Sequence, residues 1–250
     1  MNRKAVFMDI DGTLMHHMRV APPVIDAIQE ARAQGNLFFV CTGRSFGNMP
    51  KELLDADYLD GYVMGCGMHC MLGDQIVFQQ RVPHEQVMEV ARYFQAQRRE
   101  FLCEGENRMI ALHTRFAHFE SYDNLEAFED ALWSTHVSKM TVIGPYREDD
   151  ALFLSKWFDV YDMGTYSDVV VSGVTKATGM QRMLDYLGIA RENCIGVGDS
   201  ANDLPMIEFA GLGVAMGNAP EHVKARADVV TESVEHDGVA AMIERYILNQ

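Results

Sequence analysis

Two aspartates, Asp9 and Asp11, are separated by one residue and follow an apolar run at residues 5–8. The run predicts a short buried strand, and Gly12 lets the chain turn sharply after it. Two carboxylates at the end of a strand repel each other unless a cation lies between them. Mg²⁺, a hard cation that prefers oxygen ligands, suits such a pair when phosphate is also bound. On this pair alone, acids that merely end a strand and form a turn are an equally good interpretation.

Polar residues also follow two later runs of apolar sequence. Thr42 and Gly43 come after the second predicted strand, and Asp199 and Asp203 come after a strand in the C-terminal part. Ligands of open α/β sheets collect beyond the carboxyl ends of the strands, so these groups are expected at one edge of the sheet. Asp199 or Asp203 alone would be interpreted as an acid that caps a helix or complements its dipole.

With Lys176 added, these residues supply what phosphoryl transfer requires. Asp9 and Asp199 would bind the metal. Thr42 would donate a hydrogen bond to phosphate, and Lys176 would provide a fixed positive charge. Asp9 could attack phosphorus, because the metal offsets the repulsion between carboxylate and phosphate, and an aspartyl-phosphate would divide one difficult step into two. Asp11 could protonate the leaving oxygen and later accept a proton from water.

The elements that would position these residues alternate between strand and helix at both ends of the chain. Apolar residues spaced through 24–31 predict a helix between the strands at 5–8 and 37–41. This β-α-β unit favours a parallel sheet with a right-handed crossover. From Thr175 the alternation resumes, with a helix over 177–187. We therefore predict an α/β fold with a doubly wound parallel sheet.

The sequence changes character at Pro83, where an amphipathic helix is followed by hairpin-like strands and further helices. This order indicates a separate α+β unit of about ninety residues, a normal size for a small domain. We expect a discontinuous core formed by 1–82 and 173–250, with the α+β unit inserted at 83–172. Glu104, in the insertion, is interpreted as part of a solvated turn rather than as a substrate contact.

The composition excludes several classes of function. A net charge of −15 argues against binding to nucleic acid or to an anionic membrane surface, and no apolar stretch is long enough to span a membrane. The apolar run after the basic start is too short for a secretory signal, so we expect a cytoplasmic protein. The five cysteines are odd in number and irregularly spaced, which predicts buried, reduced thiols. An anionic substrate could bind only where a metal and fixed cations reverse the local field.

The chain resembles the phosphatases of the haloacid dehalogenase superfamily, and specifically the Cof-type branch, which has a cap domain inserted after the third strand of a Rossmann-like core. The resemblance covers the whole chain. It is carried by four ordered motifs and a C-terminal signature, which occupy residues 9–14, 41–44, 174–180 and 198–203, and then 214–220 with 236–239.

The resemblance implies a role for each candidate residue. Asp9 would be the nucleophile and a ligand of Mg²⁺. Asp11 would be the general acid/base and would offer its backbone carbonyl to the metal. Thr42, with Gly43 beside it, and Lys176 would hold the transferring phosphoryl group.

The resemblance also completes the metal site. Asp199 is implied as a further metal ligand. Asp203 is implied as a residue of the same metal site, which supports Asp199 from behind the direct ligands or through a water molecule. Asn202 would reach toward the phosphate. The insertion at 83–172 would be a cap that closes over the substrate.

One motif departs from the branch. Cys66-Gly67-Met68 stands where the branch usually has Asn-Gly-Ala, and the amide of that asparagine commonly lies near the substrate. The difference leaves the chemistry of the four motifs intact and leaves the substrate preference open.

Three functions are compatible with these residues. The leading one is a Mg²⁺-dependent phosphomonoesterase that acts on a small phosphorylated metabolite, such as a sugar phosphate or a phosphorylated cofactor. A phosphomutase or phosphotransferase would use the same aspartyl-phosphate with a second acceptor instead of water. A non-enzymatic phospho-acceptor switch would also cluster acids, Thr and Lys, but Asp11 and the large insertion count against it. We expect a monomer or a weak homodimer.

Overall fold

The structure of the chain is a computed structural model that describes residues 3–249. The chain divides into two compact units. The first unit consists of 3–43, Pro50–Phe78 and 175–249, and the second of Arg44–Met49 and Gln79–Val174. Each unit contains a β-sheet of its own.

The secondary structure alternates in the way the sequence pattern predicts at both ends of the chain. The strands are β1 (Ala5–Met8), β2 (Leu37–Cys41), β3 (Gly61–Met64), β4 (His69–Leu72), β5 (Gln75–Gln79), β6 (Phe101–Gly105), β7 (Met109–Leu112), β8 (Glu120–Tyr122), β9 (Val137–Ile143), β10 (Phe158–Asp162), β11 (Tyr166–Val171), β12 (Cys194–Gly198), β13 (Leu212–Ala215) and β14 (Val229–Val230). The α-helices are α1 (Pro22–Ala33), α2 (Lys51–Leu54), α3 (His84–Ala96), α4 (Leu125–Leu132), α5 (Glu148–Leu154), α6 (Lys176–Leu187), α7 (Leu204–Phe209), α8 (Glu221–Lys224) and α9 (Gly238–Ile243). Among residues 3–249, none of the helices has the length and apolar character needed to cross a membrane.

The sheet of the first unit has the strand order β14-β13-β12-β1-β2-β3-β4-β5. Neighbouring strands from β14 to β3 are parallel, and β4 returns antiparallel to β3. The order reverses at the centre, because β2 and β3 lie on one side of β1 while β12 and the strands after it lie on the other. Such a reversal leaves a crevice beyond the carboxyl ends of the two central strands, where ligands bind. The predicted α/β fold class with a parallel core sheet is confirmed.

The two central strands of this sheet are apolar along their whole length because helices cover both faces of a doubly wound sheet. Every residue of Ala5–Met8 is fully buried, and the residues of Cys194–Gly198 are buried as well. The first polar side chain after each run is an aspartate, Asp9 and Asp199 respectively. The continuous hydrophobic pattern therefore brings two acids to neighbouring strand ends.

The sheet of the second unit has the order β10-β11-β9-β6-β7-β8 and is mostly antiparallel, with one parallel pair between β7 and β8. Aromatic side chains join helices to this sheet. Phe101 on β6 stacks on Phe94 of α3 and lies against Phe128 of α4. This arrangement of an antiparallel sheet with helices is the α+β architecture predicted for the insertion.

Glu104 is buried on β6, so its assignment to a solvated turn was wrong. Its Oε1 accepts hydrogen bonds from Lys139 Nζ (2.9 Å) and Thr141 Oγ1 (3.0 Å), and Lys139 also contacts Asp168 Oδ1 at 3.0 Å. Burial alone would raise the pKa of Glu104, but Lys139 and the hydrogen bonds of Asn48 and Thr141 hold it below its usual value. The lysine that makes burial possible comes from another strand, and the sequence near Glu104 gives no sign of it.

We expect Lys139→Met to destabilise the second unit by about 3–5 kcal/mol, because Glu104 and Asp168 would remain buried without their cation. The matched control is Lys224→Met, which removes a half-buried lysine paired with the almost fully exposed Glu221. That change should cost less than about 1 kcal/mol. Urea unfolding of the two variants measures the difference, and equal small losses would contradict a stabilising role for Lys139.

Candidate active site

Asp9 lies at the point where the strand order reverses. Its backbone N–H donates to the carbonyl of Val197 on β12 (3.0 Å), which fixes the end of β1 against that strand. The side chain is largely buried. Asp199 follows β12 directly, so the two acids come from adjacent parallel strands and share one edge of the sheet.

The ammonium group of Lys176 joins two of the acids. Its Nζ donates to Asp9 Oδ1 at 2.7 Å and to Asp203 Oδ1 at 2.5 Å, and the lysine side chain is fully buried. Burial acts to lower the pKa of Lys176, but the negative charges of Asp203 and Asp9 outweigh it and raise that pKa well above its usual value. Lys176 is therefore a permanent positive charge inside the site.

The position of Lys176 is set by the start of α6. The Oγ1 of Thr175 accepts the N–H of Thr178 (3.3 Å), and the Oγ1 of Thr178 accepts the N–H of Thr175 (3.0 Å). This reciprocal capping fixes the first turn of the helix. A lysine there is disfavoured by the helix dipole, so the two carboxylates that contact it are needed to hold it.

Asp203 organises the loop that carries Asp199. Its Oδ2 accepts the backbone N–H groups of Asp199 (3.0 Å) and Ser200 (2.9 Å), while its Oδ1 accepts from Lys176. The residue is completely buried, and a Cβ on Gly198 would lie only 2.4 Å from the Cβ of Asp203. Glycine before Asp199 is therefore required by the close approach of Asp203.

Three carboxylates of this site are close enough to share one cation. Oxygen atoms of Asp9, Asp199 and Asp203 all lie within 4.8 Å of one another. Asp199 is oriented by Thr13, whose Oγ1 donates to Asp199 Oδ1 at 2.9 Å. A donor set made only of oxygen fits Mg²⁺, and the excess of negative charge favours a cation there.

The same crowding raises the pKa values of two carboxyl groups. Burial, with a further contribution from the charge of Asp203, raises the pKa of Asp9 to about 7, although Lys176 opposes the shift. Burial and Asp203 also raise the pKa of Asp199 to about 6. Protons and a metal ion would therefore compete for these oxygens near neutral pH.

Thr42 and Gly43 follow β2, which is the parallel neighbour of β1 on the other side from β12. The N–H of Thr42 donates to the carbonyl of Val63 (2.8 Å), and the carbonyl of Thr42 accepts the N–H of Cys66 (3.0 Å). Thr42 is buried and lies at the same edge of the sheet as Asp9.

The remaining two predicted residues lie on turns. Asp11 is exposed on the turn that follows β1, one residue after the end of the buried run at Ile10. Asn202 lies on the short turn Ala201–Asp203, where its Oδ1 accepts a hydrogen bond from Ser200 Oγ (2.7 Å). The structure thus joins Asp9, Lys176 and the acids after β12 by direct contacts, and gives Asn202 a contact within its own turn.

Cys66, the residue that departs from the usual asparagine, is buried and has a left-handed backbone with φ of 55°. Asparagine adopts this conformation more readily than cysteine does, which explains why asparagine suits the position. All five cysteines lie within residues 3–249, and each is a buried thiol outside any disulfide, as the sequence predicts.

Thr13 and Asn218 contact the metal-site candidates, although neither is among the residues predicted for the site from the sequence. Thr13 holds Asp199 Oδ1, and Asn218 Nδ2 lies 3.5 Å from Asp199 Oδ2. Thr13 lies in the motif segment 9–14 and Asn218 in the motif segment 214–220. Their positions in these segments are the sequence feature that could have identified them. The hydrogen bonds themselves join residues far apart in the sequence, which no local pattern reveals.

Comparisons with known proteins all point to one family. A model of the haloacid dehalogenase-like hydrolase family matches residues 6–243. A Streptococcus pyogenes protein, whose name assigns it phosphatase and peptidyl-prolyl cis-trans isomerase activities, is 30% identical over 261 residues. The match covers 96% of this chain and 53% of that protein, so the chain spans about half the length of this relative.

Two further similarities bear on chemistry. The Bacillus subtilis 5-amino-6-(5-phospho-D-ribitylamino)uracil phosphatase YitU is 48% identical over 79 residues, which are 32% of this chain and 29% of that protein. A solved structure of a subclass IIB sugar phosphatase of the haloacid dehalogenase superfamily has a TM-score of 0.85 and 27% sequence identity. The alignment covers 97% of this chain and 98% of the sugar phosphatase chain.

The raised pKa values predict how the metal-free protein responds to pH. The folded state holds protons on Asp9 and Asp199 that the unfolded chain releases near the usual carboxyl pKa, because the folded values are about 7 and about 6. The stabilisation from these protons is present at acid pH and is lost as pH rises through the folded values.

We therefore expect Asp199→Asn, which keeps both carboxylates that contact Lys176, to raise the Tm of the metal-free protein by about 2–4 °C near pH 8, and to have a smaller effect near pH 5. Mg²⁺ should raise the Tm of the wild-type protein most at the higher pH. Thermal unfolding with a chelator or with Mg²⁺ measures both. A difference between the two proteins that does not depend on pH would contradict the assignment.

Proposed function

Because the chain belongs to the haloacid dehalogenase-like hydrolase family, we propose that it is a Mg²⁺-dependent phosphomonoesterase with Asp9 as its nucleophile. The observation that carries the proposal is the buried contact of Lys176 with Asp9 and Asp203, beside the carboxylate of Asp199. This arrangement supplies a nucleophile, a fixed cation and an all-oxygen metal site in one place.

Asp9, Asp199 and the backbone carbonyl of Asp11 would hold Mg²⁺. When bound, the ion neutralises charge on the phosphate so that a carboxylate can approach it. Asp203 would support the site rather than bind the metal directly. Its two oxygens already accept hydrogen bonds from Lys176 and from the backbone N–H groups of residues 199 and 200.

In the first step, a carboxylate oxygen of Asp9 forms a bond to phosphorus while the bond from phosphorus to the leaving oxygen breaks. Asp11 gives that oxygen a proton, and an alcohol departs. In the second step, Asp11 takes a proton from water, and the water oxygen attacks phosphorus to release inorganic phosphate from Asp9. Thr42 and Lys176 hold the phosphoryl oxygens through both steps, with Gly43 and Asn202 beside them.

We propose sugar phosphates and phosphorylated cofactors or their precursors as the substrate class. The support comes from relatives, since one solved structure is a sugar phosphatase and one partial relative is a phosphatase of a phosphorylated ribityl compound. The net charge of −15 favours a small anion held locally by Mg²⁺ and Lys176 over a polyanion such as nucleic acid. We propose that the protein acts in the cytoplasm.

We also propose that the insertion at 83–172 is a cap that selects among substrates. The residues proposed for chemistry all lie outside it, and the insertion contains the buried polar cluster of Glu104, Lys139 and Asp168. Replacement of 83–172 by a short Gly/Ser linker tests this proposal, once the shortened chain is shown to be soluble and to unfold cooperatively. An unchanged order of preference among metabolites would contradict it.

The test of the proposed activity is release of inorganic phosphate in the presence of Mg²⁺. The panel contains hexose phosphates, phosphorylated ribityl compounds and an aryl phosphate. We expect repeated turnover on members of the panel and none above background for a folded Asp9→Asn variant, because an amide is neither anionic nor nucleophilic. Turnover by that variant near the wild-type rate would contradict a mechanism with Asp9 as the nucleophile.

The same assay separates the alternatives. Conversion of one phosphate ester into another without inorganic phosphate would indicate a phosphomutase or phosphotransferase. Uptake of a single phosphate per chain with no turnover would indicate a phospho-acceptor switch.

The role proposed for Asp11 predicts a dependence on the leaving group. Asp11→Asn should slow hydrolysis of alkyl phosphates by about 10²–10⁴-fold, since the departing alkoxide needs a proton. Activated aryl phosphates should be affected much less, because an aryl oxide leaves without one. Measuring kcat for both substrate types compares the two losses, and equal losses would refute general acid catalysis by Asp11.

A further inference from the structure

The side chain of Asn218 bridges three segments that are distant in the sequence. Its Nδ2 donates to the carbonyl of Gly12 (2.9 Å) and lies 3.5 Å from Asp199 Oδ2. Its Oδ1 accepts the backbone N–H of Val234 (2.9 Å). One amide therefore connects the turn after β1, the acid after β12 and the segment after β14.

The backbone around Asn218 is itself held on both sides. The N–H of Met216 donates to the carbonyl of Gly198 (3.0 Å), and the N–H of Gly217 donates to the carbonyl of Glu232 (3.0 Å). The neighbouring Met216 is fully buried. Although Asn218 is exposed, its amide is presented from a fixed turn.

Nδ2 of Asn218 lies between two oxygens, the carbonyl of Gly12 and Oδ2 of Asp199. Gly12 has φ of +80° and approaches Asp199 so closely that a Cβ there would lie 2.5 Å from Asp199 Oδ2. The amide nitrogen of Asn218 is therefore one donor that the carbonyl of Gly12 and the carboxylate of Asp199 share. Thr13 fixes the other carboxylate oxygen, so the two side chains together restrict how Asp199 can rotate.

We propose that Asn218 is a positioning residue for the metal site, which clamps the Gly12 turn to Asp199 and so sets the angle at which Asp199 presents its oxygens to Mg²⁺. This inference rests on the proposed function. Partners that orient a metal ligand are typically worth about 10–100-fold in metal affinity or activity.

A purely structural role for Asn218 would depend on its Oδ1 instead of its Nδ2. The Oδ1 bond to Val234 anchors the segment after β14, and this bond does not touch the metal-site candidates. Asn218→Ala removes both ends, whereas Asn218→Asp keeps an acceptor for Val234 and removes the donor. The two variants therefore separate positioning of Asp199 from anchoring of the segment.

The experiment is calorimetric titration of the metal-free full chain with Mg²⁺ alone. We expect Asn218→Ala to bind Mg²⁺ about 10–100-fold more weakly than wild type. Asn218→Asp should also bind more weakly, even though its added negative charge would by itself attract the cation. In both variants kcat on an aryl phosphate should recover as Mg²⁺ is raised, which loss of a bond in a structural segment would not produce.

The matched control is Asn107→Ala. Asn107 is also an exposed asparagine whose amide bridges two backbone groups, since it donates to the carbonyl of Ser134 (2.7 Å) and accepts the N–H of His136 (3.2 Å). Mg²⁺ binding of this variant should equal that of wild type.

Two results would overturn the inference. One is Mg²⁺ binding by Asn218→Ala within about twofold of wild type, and the other is binding by Asn218→Asp that is as tight as wild type or tighter. If the wild-type chain itself neither binds Mg²⁺ nor releases phosphate, both the proposed function and this inference are wrong. If the wild-type chain binds Mg²⁺ and releases phosphate but the Asn218 variants bind Mg²⁺ as tightly as wild type, only this inference is wrong.

Discussion

The first unit depends on one buried positive charge. The ammonium of Lys176 is fully enclosed and could not remain there without Asp9 and Asp203, since removing one partner of a buried ion pair typically costs about 3–5 kcal/mol. Asp9 is 167 residues from Lys176, and Asp203 is 27 residues from it. The contact therefore requires that β1, the start of α6 and the loop after β12 meet at one point, which is where the strand order of the sheet reverses.

The charges at that point do not balance within the protein. Asp9, Asp199 and Asp203 crowd around a single lysine, and burial leaves Asp9 with a pKa of about 7. A site that holds excess negative charge away from water is unfavourable in the metal-free protein, and the same excess would favour a small cation there. The burial and the crowding of acids that raise the carboxyl pKa values are therefore also the basis of the proposed affinity for Mg²⁺.

The second unit repeats the arrangement of a lysine between two acids, with Lys139 between Glu104 and Asp168. Its setting differs, because the three side chains project from neighbouring strands of one sheet and the hydroxyl of Thr141 lies within hydrogen-bonding distance of both acids. Here the lysine lowers the pKa of Glu104, whereas Asp9 keeps a raised value beside Lys176. Asp9 is buried with the charges of Asp203 and Asp199 nearby, whereas buried Glu104 accepts hydrogen bonds from Asn48 and Thr141, and these neighbours account for the opposite shifts.

The sequence alone determined the fold class, the alternating elements of the first unit and the order of the motifs, because hydrophobic periodicity and the residues that end each strand are local signals. Asp9, Thr42 and Asp199 could be placed at strand ends for that reason. The structure alone decided that Asp203 has both oxygens engaged, that Glu104 is buried beside Lys139, and that Asn218 reaches Gly12. Each of these is a contact between residues on different elements, and its geometry exists only after the chain has folded, when burial makes a polar partner obligatory.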